Sequence, residues 1–218
     1  MDVLELMKKR HSVRQYTNRK IEPEKRVELT TFAEECNQES GLNIQIIFDE
    51  PKCFCALMAK VTRFKGCENY VAIVSKRSDP NAEEKAGYFG EKIVLKAQEL
   101  GLNTCWTGAT HGKSIAKIGA DEKQIIIIAL GYGANPGTPH KGKTISDVSN
   151  VTDNLPDWYA RGIEAALLAP TAMNQQKFYF TLQGDTVKAA PGKGAYSTLD
   201  FGIVKYHFEE VSGHKVLS

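Results

Sequence analysis

The chain has 218 residues, 42% hydrophobic and 25% charged, the composition of an ordinary globular protein with room for one large domain or two small lobes that share a core. Lysine and arginine number 28 against 26 for aspartate and glutamate, a net charge of +2, which gives no bulk field toward nucleic acid or anionic membranes. The longest apolar runs, Gln124 to Leu130 and Ala165 to Ala169, fall far short of the ~20 residues of a membrane helix, and MDVLELMKKRH has no apolar stretch leading to a cleavage site, so the expectation is a soluble, cytoplasmic protein.

In chain order, Val3, Leu4 and Met7 form one stripe and predict a first helix over Asp2 to Lys9. Pro23 suits the first position of a second helix running to about Gln38 and closed by Ser40-Gly41. Asn43 to Asp49 reads as a strand ended by Pro51, Cys55 to Phe64 as a helix, and Asn69 to Ser75 as a buried strand. Asp79-Pro80 caps the longest helix, whose apolar face (Ala86, Phe89, Ile93, Val94, Ala97, Leu100) runs to a stop at Gly101. Leu102 to Gly108 is a short strand or loop, His111 to Ile118 a small helix and Gln124 to Tyr132 a central strand. The polar, Gly/Pro-rich run from Gly133 to Asn150 is the best connection between lobes. A helix from Pro156 to Leu168 follows, then a hairpin of Phe178 to Leu182 and Thr186 to Ala190 turning at Gly184-Asp185, and a last helix from about Leu199 to Val211. The alternation predicts an α+β (α/β-like) fold, a mixed β-sheet flanked by helices.

Five cysteines, an odd number, read as free thiols in an unexported chain. Cys53-Phe-Cys55 is too tight for the usual zinc pair, so no metal site is expected. The histidines are scattered, and no nucleophile elbow or Ser/His/Asp order is present. Side-chain hydrolysis is a poor fit.

Four segments could carry other chemistry. In Arg10-His11-Ser12-Val13-Arg14, alternation on an extended backbone puts Arg10, Ser12 and Arg14 on the same side. Two guanidinium forks with a hydroxyl between them suit a phosphate; cations complementing a helix C-terminus is the plainer alternative. Ala169-Pro170-Thr171-Ala172-Met173-Asn174-Gln175-Gln176 offers a hydroxyl and amides to a polar ligand edge, or is simply a turn after a helix. Gly87 and Gly90 within a helical pattern suggest close approach by a backbone or a flat ring. Trp106-Thr107-Gly108 could bring a backbone N–H to an aromatic cofactor, or hold a core tryptophan. His140-Lys141-Gly142-Lys143 could close a phosphate site or be a solvated loop.

Taken together these segments resemble a family. KKRHSVRQY is similar to the R-x-S-x-R segment of FMN-dependent nitroreductases, YFGEKIVLKAQELGLNTCW to their long central helix and Leu-Gly-Leu turn, and IIIIALGYG to their I-A-L-G-Y strand. HKGK matches the basic segment after it, and APTAMNQQKFYF resembles A-P-S-x-x-N-x-Q-P-W-x-F, with Lys177 and Phe178 standing where Pro and Trp are usual. The family's Glu-Gly pair has no clear counterpart, Thr107-Gly108 being nearest. The last motif ordinarily follows soon after the first, but here it comes after residue 168. That order resembles the nitroreductase branch with two related lobes in one chain, which implies a main flavin lobe over 1–150 and a smaller lobe over 151–218 completing the site.

The resemblance implies non-covalent FMN, with electrons passing from NAD(P)H to a nitroaromatic, quinone or similar small oxidant, in a monomer or homodimer. The cofactor carries the redox chemistry, so no side chain is the catalyst. Arg10, Ser12, Lys141 and Lys143 are assigned to the phosphate with His11 beside them, and Arg14 to stabilising the reduced ring. Pro170, Thr171, Asn174 and Gln176 are assigned to the ring edge or ribityl chain, and Trp106, Thr107 and Gly108 to contact near the flavin's reactive nitrogen. A flavin-binding sensor or carrier without turnover is the alternative.

Overall fold

The computed structural model describes residues 2–55 and 63–217; most of the helix expected over Cys55–Phe64 lies outside the described residues. The chain divides into two compact units. One, here the sheet unit, comprises Arg10–Ala82 and Ile93–Pro139; the other, the helical unit, comprises Met1–Lys9, Glu83–Lys92 and His140–Ser218. Neither is continuous in sequence, and the polar connection Gly133–Asn150 is divided between them at Pro139 and His140.

The sheet unit is built on four antiparallel strands, β1 (Asn43–Ile47), β2 (Asn69–Lys76), β3 (Asn103–Thr107) and β4 (Glu122–Gly131), in the order β1-β2-β4-β3. Residues Ile127 and Ala129 of β4 join a core with Val13, Tyr16, Cys53, Phe54, Tyr70 and Cys105. The next residue, Leu130, joins Ile21, Leu29, Ala97 and Leu102 instead. Side chains alternate across a strand, so β4 buries both faces and its sequence reads as an unbroken apolar run. Helix α2 (Pro23–Ser40) opens with proline at its first turn and ends where Gly41, at φ +73°, donates its N–H to Asn37 O at 2.9 Å, a left-handed cap that glycine adopts without strain. Residues 111–118 form no helix, contrary to expectation. Gln45 Nε2 donates to Lys117 O at 2.7 Å, Gln45 Oε1 accepts from Lys117 N at 2.9 Å, and the Tyr70 hydroxyl accepts from Ile115 N at 3.1 Å. Side chains from the sheet take up backbone groups that a helix would pair internally.

The helical unit holds α1 (Val3–Lys9), the first half of α3 (Ala82–Glu99), a short α4 (Ile145–Val148), α5 (Asp157–Leu167) and α6 (Ser197–Ser212). The expected hairpin is β5 (Phe178–Gln183) with β6 (Thr186–Pro191), antiparallel, and β7 (Val216–Leu217) adds a parallel edge that the sequence reading lacked. Mixed pairing therefore belongs to this smaller sheet, while the larger is antiparallel throughout. Gly87 explains itself here. A Cβ on it would stand 1.9 Å from Leu199 O, and one on Gly202 would stand 2.0 Å from Glu84 O, so α3 and α6 meet backbone to backbone. Close approach by a chain, not by a flat ring, is what Gly87 serves. Phe208 stacks on Phe180 at 4.8 Å and meets Tyr159 edge-on at 5.8 Å. Beside them the fully buried His207 joins Ala165 O through Nδ1 at 2.8 Å and Glu91 Oε1 through Nε2 at 3.1 Å.

Candidate functional site

In the sheet unit the Arg10–Arg14 segment is extended. Ser12 bridges Thr104 in parallel, and Val13 donates its N–H to Thr104 O at 3.0 Å. Val13 is fully buried in the core, Arg10 is only 4% exposed, Ser12 is half-buried and Arg14 lies open. Burial pushes the Cys105 thiol up, and the Arg14 charge, a hydrogen bond with the Ser12 hydroxyl and the Arg10 charge oppose it. The Ser12 hydroxyl thus meets Cys105, and the thiol feels the charges of buried Arg10 and open Arg14, on either side of Ser12 in sequence. His11 is covered by the polar connection: Gly137, at φ +78°, comes so near that a Cβ would stand 2.6 Å from His11 Cβ. Ala134 N donates to Gln15 O at 2.8 Å and Gly133 N to Asn103 Oδ1 at 2.9 Å.

The end of β3 is tied in differently. Trp106 is half-buried, and the Thr107 hydroxyl donates to Ile127 O at 2.9 Å inside the core. That leaves Gly108, where the strand stops, as the member of the triplet with backbone to offer. Sequence reasoning missed Cys105 and Tyr16. Tyr16 is buried, and among the described residues its hydroxyl has no hydrogen-bond partner. Burial drives its pKa well above the usual tyrosine range, Cys67 and Cys105 add to this, and Arg14 opposes them. Periodicity could have flagged Cys105, which shares a sheet face with Asn103 and Thr107.

In the helical unit the structure brings Lys141 and Lys143 together with Asn174 and Gln176. Asn174 Nδ2 donates to Lys141 O at 2.7 Å. Gln176 Oε1 accepts from Lys143 N at 2.7 Å, Gln176 Nε2 donates to Leu167 O at 2.8 Å, and Lys143 Nζ reaches Gln176 O at 2.8 Å. His140 Nε2 lies 3.1 Å from the same Leu167 O. The Thr171 hydroxyl accepts from Gln176 N at 3.0 Å, and Pro170 follows the helix end, half-buried. The buried Gln176 amide is committed to the chain itself. It holds the basic loop; the Lys141 and Lys143 side chains stay exposed.

A protein-family model described as "Putative TM nitroreductase" matches residues 2–212. The chain belongs to that family. Among solved structures, a "putative nitroreductase" of Thermotoga maritima is similar over 97% of this chain and 83% of its own, with 21% identity and a TM-score of 0.69. A "putative nitroreductase in complex with FMN" from Desulfovibrio desulfuricans covers 72% of this chain and 99% of its own at 19% identity, TM-score 0.56. A "putative NADH dehydrogenase/NAD(P)H nitroreductase" of Bacteroides thetaiotaomicron covers 67% and 95% at 17% identity, TM-score 0.53. At these identities the likeness is one of fold, and it bears out the α+β nitroreductase-like architecture. No curated protein matches the chain. Among the described residues no helix is long and apolar enough to cross a membrane, and no cluster of His, Cys, Asp or Glu could hold a metal.

Proposed function

We propose that this nitroreductase-family chain binds one FMN non-covalently and acts as a cytoplasmic NAD(P)H-dependent oxidoreductase, with a nitroaromatic, quinone or similar small oxidant as acceptor. The observation that carries the reading is the extended Arg10–Arg14 segment, pinned to Thr104 through Ser12 and Val13, which sets a hydroxyl between two guanidinium groups in sequence. That donor set fits the group: guanidinium forks and a hydroxyl match phosphate oxygens. Family membership and the FMN-bound Desulfovibrio desulfuricans relative support the same reading, and the NAD(P)H nitroreductase relative supports the donor.

Bound FMN would supply two-electron transfer between the nicotinamide and the acceptor. In this assignment Arg10 and Ser12, with His11 beside them, hold the phosphate, and Lys141 and Lys143 add positive charge. Arg14 supplies a fixed cation that favours the reduced, more negative cofactor. Trp106, Thr107 and Gly108 give ring and backbone contact. Residues 151–218, the second lobe of the proposal beside the main lobe 1–150, contribute Pro170, Thr171, Asn174 and Gln176. With Gln176 bonded inside the chain, its part is to hold Lys143 in place, and the direct polar contact falls to Asn174 and Thr171.

The test is the visible spectrum of the purified chain after reconstitution with excess FMN, followed by NAD(P)H consumption with a nitroaromatic or quinone. Flavin bands at one FMN per chain together with turnover support the proposal. No flavin bands would end it, and bands without turnover would leave a flavin carrier.

A further inference from the structure

The helical unit keeps five described non-glycine residues in the left-handed backbone region: Asn154 (φ 51°), Met173 (φ 52°), Asn174 (φ 54°), Gln176 (φ 46°) and Tyr196 (φ 62°). L side chains rarely adopt this region, and such residues persist where the surroundings over-determine them. Three of the five fall within 173–176, where Met173 is 87% exposed, and Tyr196 is the residue before α6. One side chain joins the two turns. Asp200, in the first turn of α6, donates its N–H to Tyr196 O at 2.8 Å and accepts the Ala172 N–H on Oδ2 at 2.9 Å. The 171–176 turn is closed on its other side by Gln176 N donating to Thr171 Oγ1 at 3.0 Å. Remove the Asp200 contact and Ala172, directly before the left-handed pair, loses its anchor to α6.

We propose that Asp200 is a positioning residue, which sets the 171–176 turn against the Tyr196 turn through the Ala172 N–H and holds it more firmly when ionised than when protonated. Burial raises this carboxyl to about 6, with only the Ala172 hydrogen bond opposing. Charged groups on neighbouring elements are engaged elsewhere. Glu84 on α3 pairs with Lys205 at 3.0 Å, Glu91 on α3 with His207 at 3.1 Å, and Glu164 on α5 with Lys8 at 3.1 Å. Glu209 pairs with Lys215 at 2.6 Å, and Lys177 and Lys193 stand exposed on the adjoining turns. Among the described residues the Asp200 carboxylate has no ion-pair partner, so its charge is free to change near neutrality. A carboxylate grips an N–H about twice as strongly as a neutral acid does. For its ligand, though not for the device, this inference rests on the flavin reading.

Amide hydrogen exchange on the full chain without added FMN tests the device, with rates corrected for intrinsic chemistry between pH 5 and 7.5. Protection of the Ala172 amide should rise about fivefold through pH 6 in the parent, stay level in Asp200→Asn, and be low throughout in Asp200→Ala. A level parent, or an Asp200→Asn variant that titrates like it, overturns the proposal. FMN titration at the two ends of the range reads the consequence. Because the FMN phosphate itself titrates near pH 6, Asp200→Asn is the reference, and the parent should gain several-fold more affinity with rising pH than this variant. Equal pH dependence in the two would overturn the link from Asp200 to the ligand. A chain that takes up no FMN while its Ala172 protection titrates would uphold the positioning role and remove the flavin reading instead.

Discussion

Two regions of this molecule carry the proposed chemistry, and they are made in opposite ways. The Arg10–Arg14 segment in the sheet unit satisfies its backbone against β3, through Ser12 and Val13 on Thr104, so the Ser12 hydroxyl is left for Cys105 and the Arg14 side chain stays open. The 169–176 turn in the helical unit does the reverse. Its polar side chains hold the chain first: Gln176 is spent on Lys143 and Leu167, while Asn174 gives Nδ2 to Lys141 and Thr171 a lone pair to Gln176. That keeps the Asn174 carbonyl oxygen and the Thr171 O–H for a ligand. A regular backbone frees side chains for a ligand, whereas a left-handed turn uses them first to hold its own shape. Two motifs of equal polarity in the sequence therefore need not do the same work.

Substitutions can break that contrast. The largest effect should come from Gln176→Ala, which strands the Lys143 N–H and one bond to Leu167 O; at about 1–3 kcal/mol per unsatisfied group, urea unfolding should show a loss of about 2–4 kcal/mol. Arg10→Ala should weaken FMN binding by about 1.5–3 kcal/mol, roughly ten- to a hundredfold, as read by fluorescence titration. Its stability loss should be smaller than its binding loss; the opposite order would make Arg10 a structural cation and erase the contrast. Asn174→Ala removes one exposed bond to Lys141 O and should cost about 1 kcal/mol in both measurements. Arg14→Ala, at an exposed position, should leave FMN bound and shift its potential down by about 20 mV, the two-electron equivalent of ~1 kcal/mol. Finally, the Asp200 carboxyl sits at about 6 in the fold against an ordinary 3.8, so between those values the folded chain binds more protons than the unfolded one. Stability of the parent relative to Asp200→Asn should therefore fall as pH rises from about 4 to 6 and level off above. Denaturant midpoints at pH 4.5 and 7 would show the trend, and a parent that gains on the variant would contradict it.

How much of this could be read from the sequence depends on how local each signal is. The start of α2 at Pro23 and its stop at Gly41, the apolar run of β4 and the Gly184-Asp185 hairpin are set by neighbours a few residues away, and all three stand where expected. Residues 111–118 carry a helical pattern, yet Gln45 and Tyr70, far off in sequence, claim their backbone groups. The two-residue β7 is too short to show a period and exists by pairing with β6. At the candidate site, alternation was enough to group Arg10, Ser12 and Arg14. It could not reveal that Ser12 bonds Cys105, that Tyr16 is buried beside Cys67 and Cys105, or that Asp200 anchors Ala172, because those partners are chosen by packing. Nor could composition show that both compact units draw on separate stretches of chain.

The reciprocal glycine contact between α3 and α6 has a consequence for Asp200. Gly87 against Leu199 O and Gly202 against Glu84 O leave no slack for a methyl group on either helix. Sliding α6 by one residue would drive a side chain into the opposing backbone, so the pair has a single register, indexed like a pin in a detent. Successive residues of a helix are about 100° apart around its axis. Fixing the phase at Leu199 and Gly202 therefore fixes the bearing of Asp200 between them. The carboxylate reaches Ala172 because two missing side chains, on the opposite contact, leave α6 only one angle at which to sit.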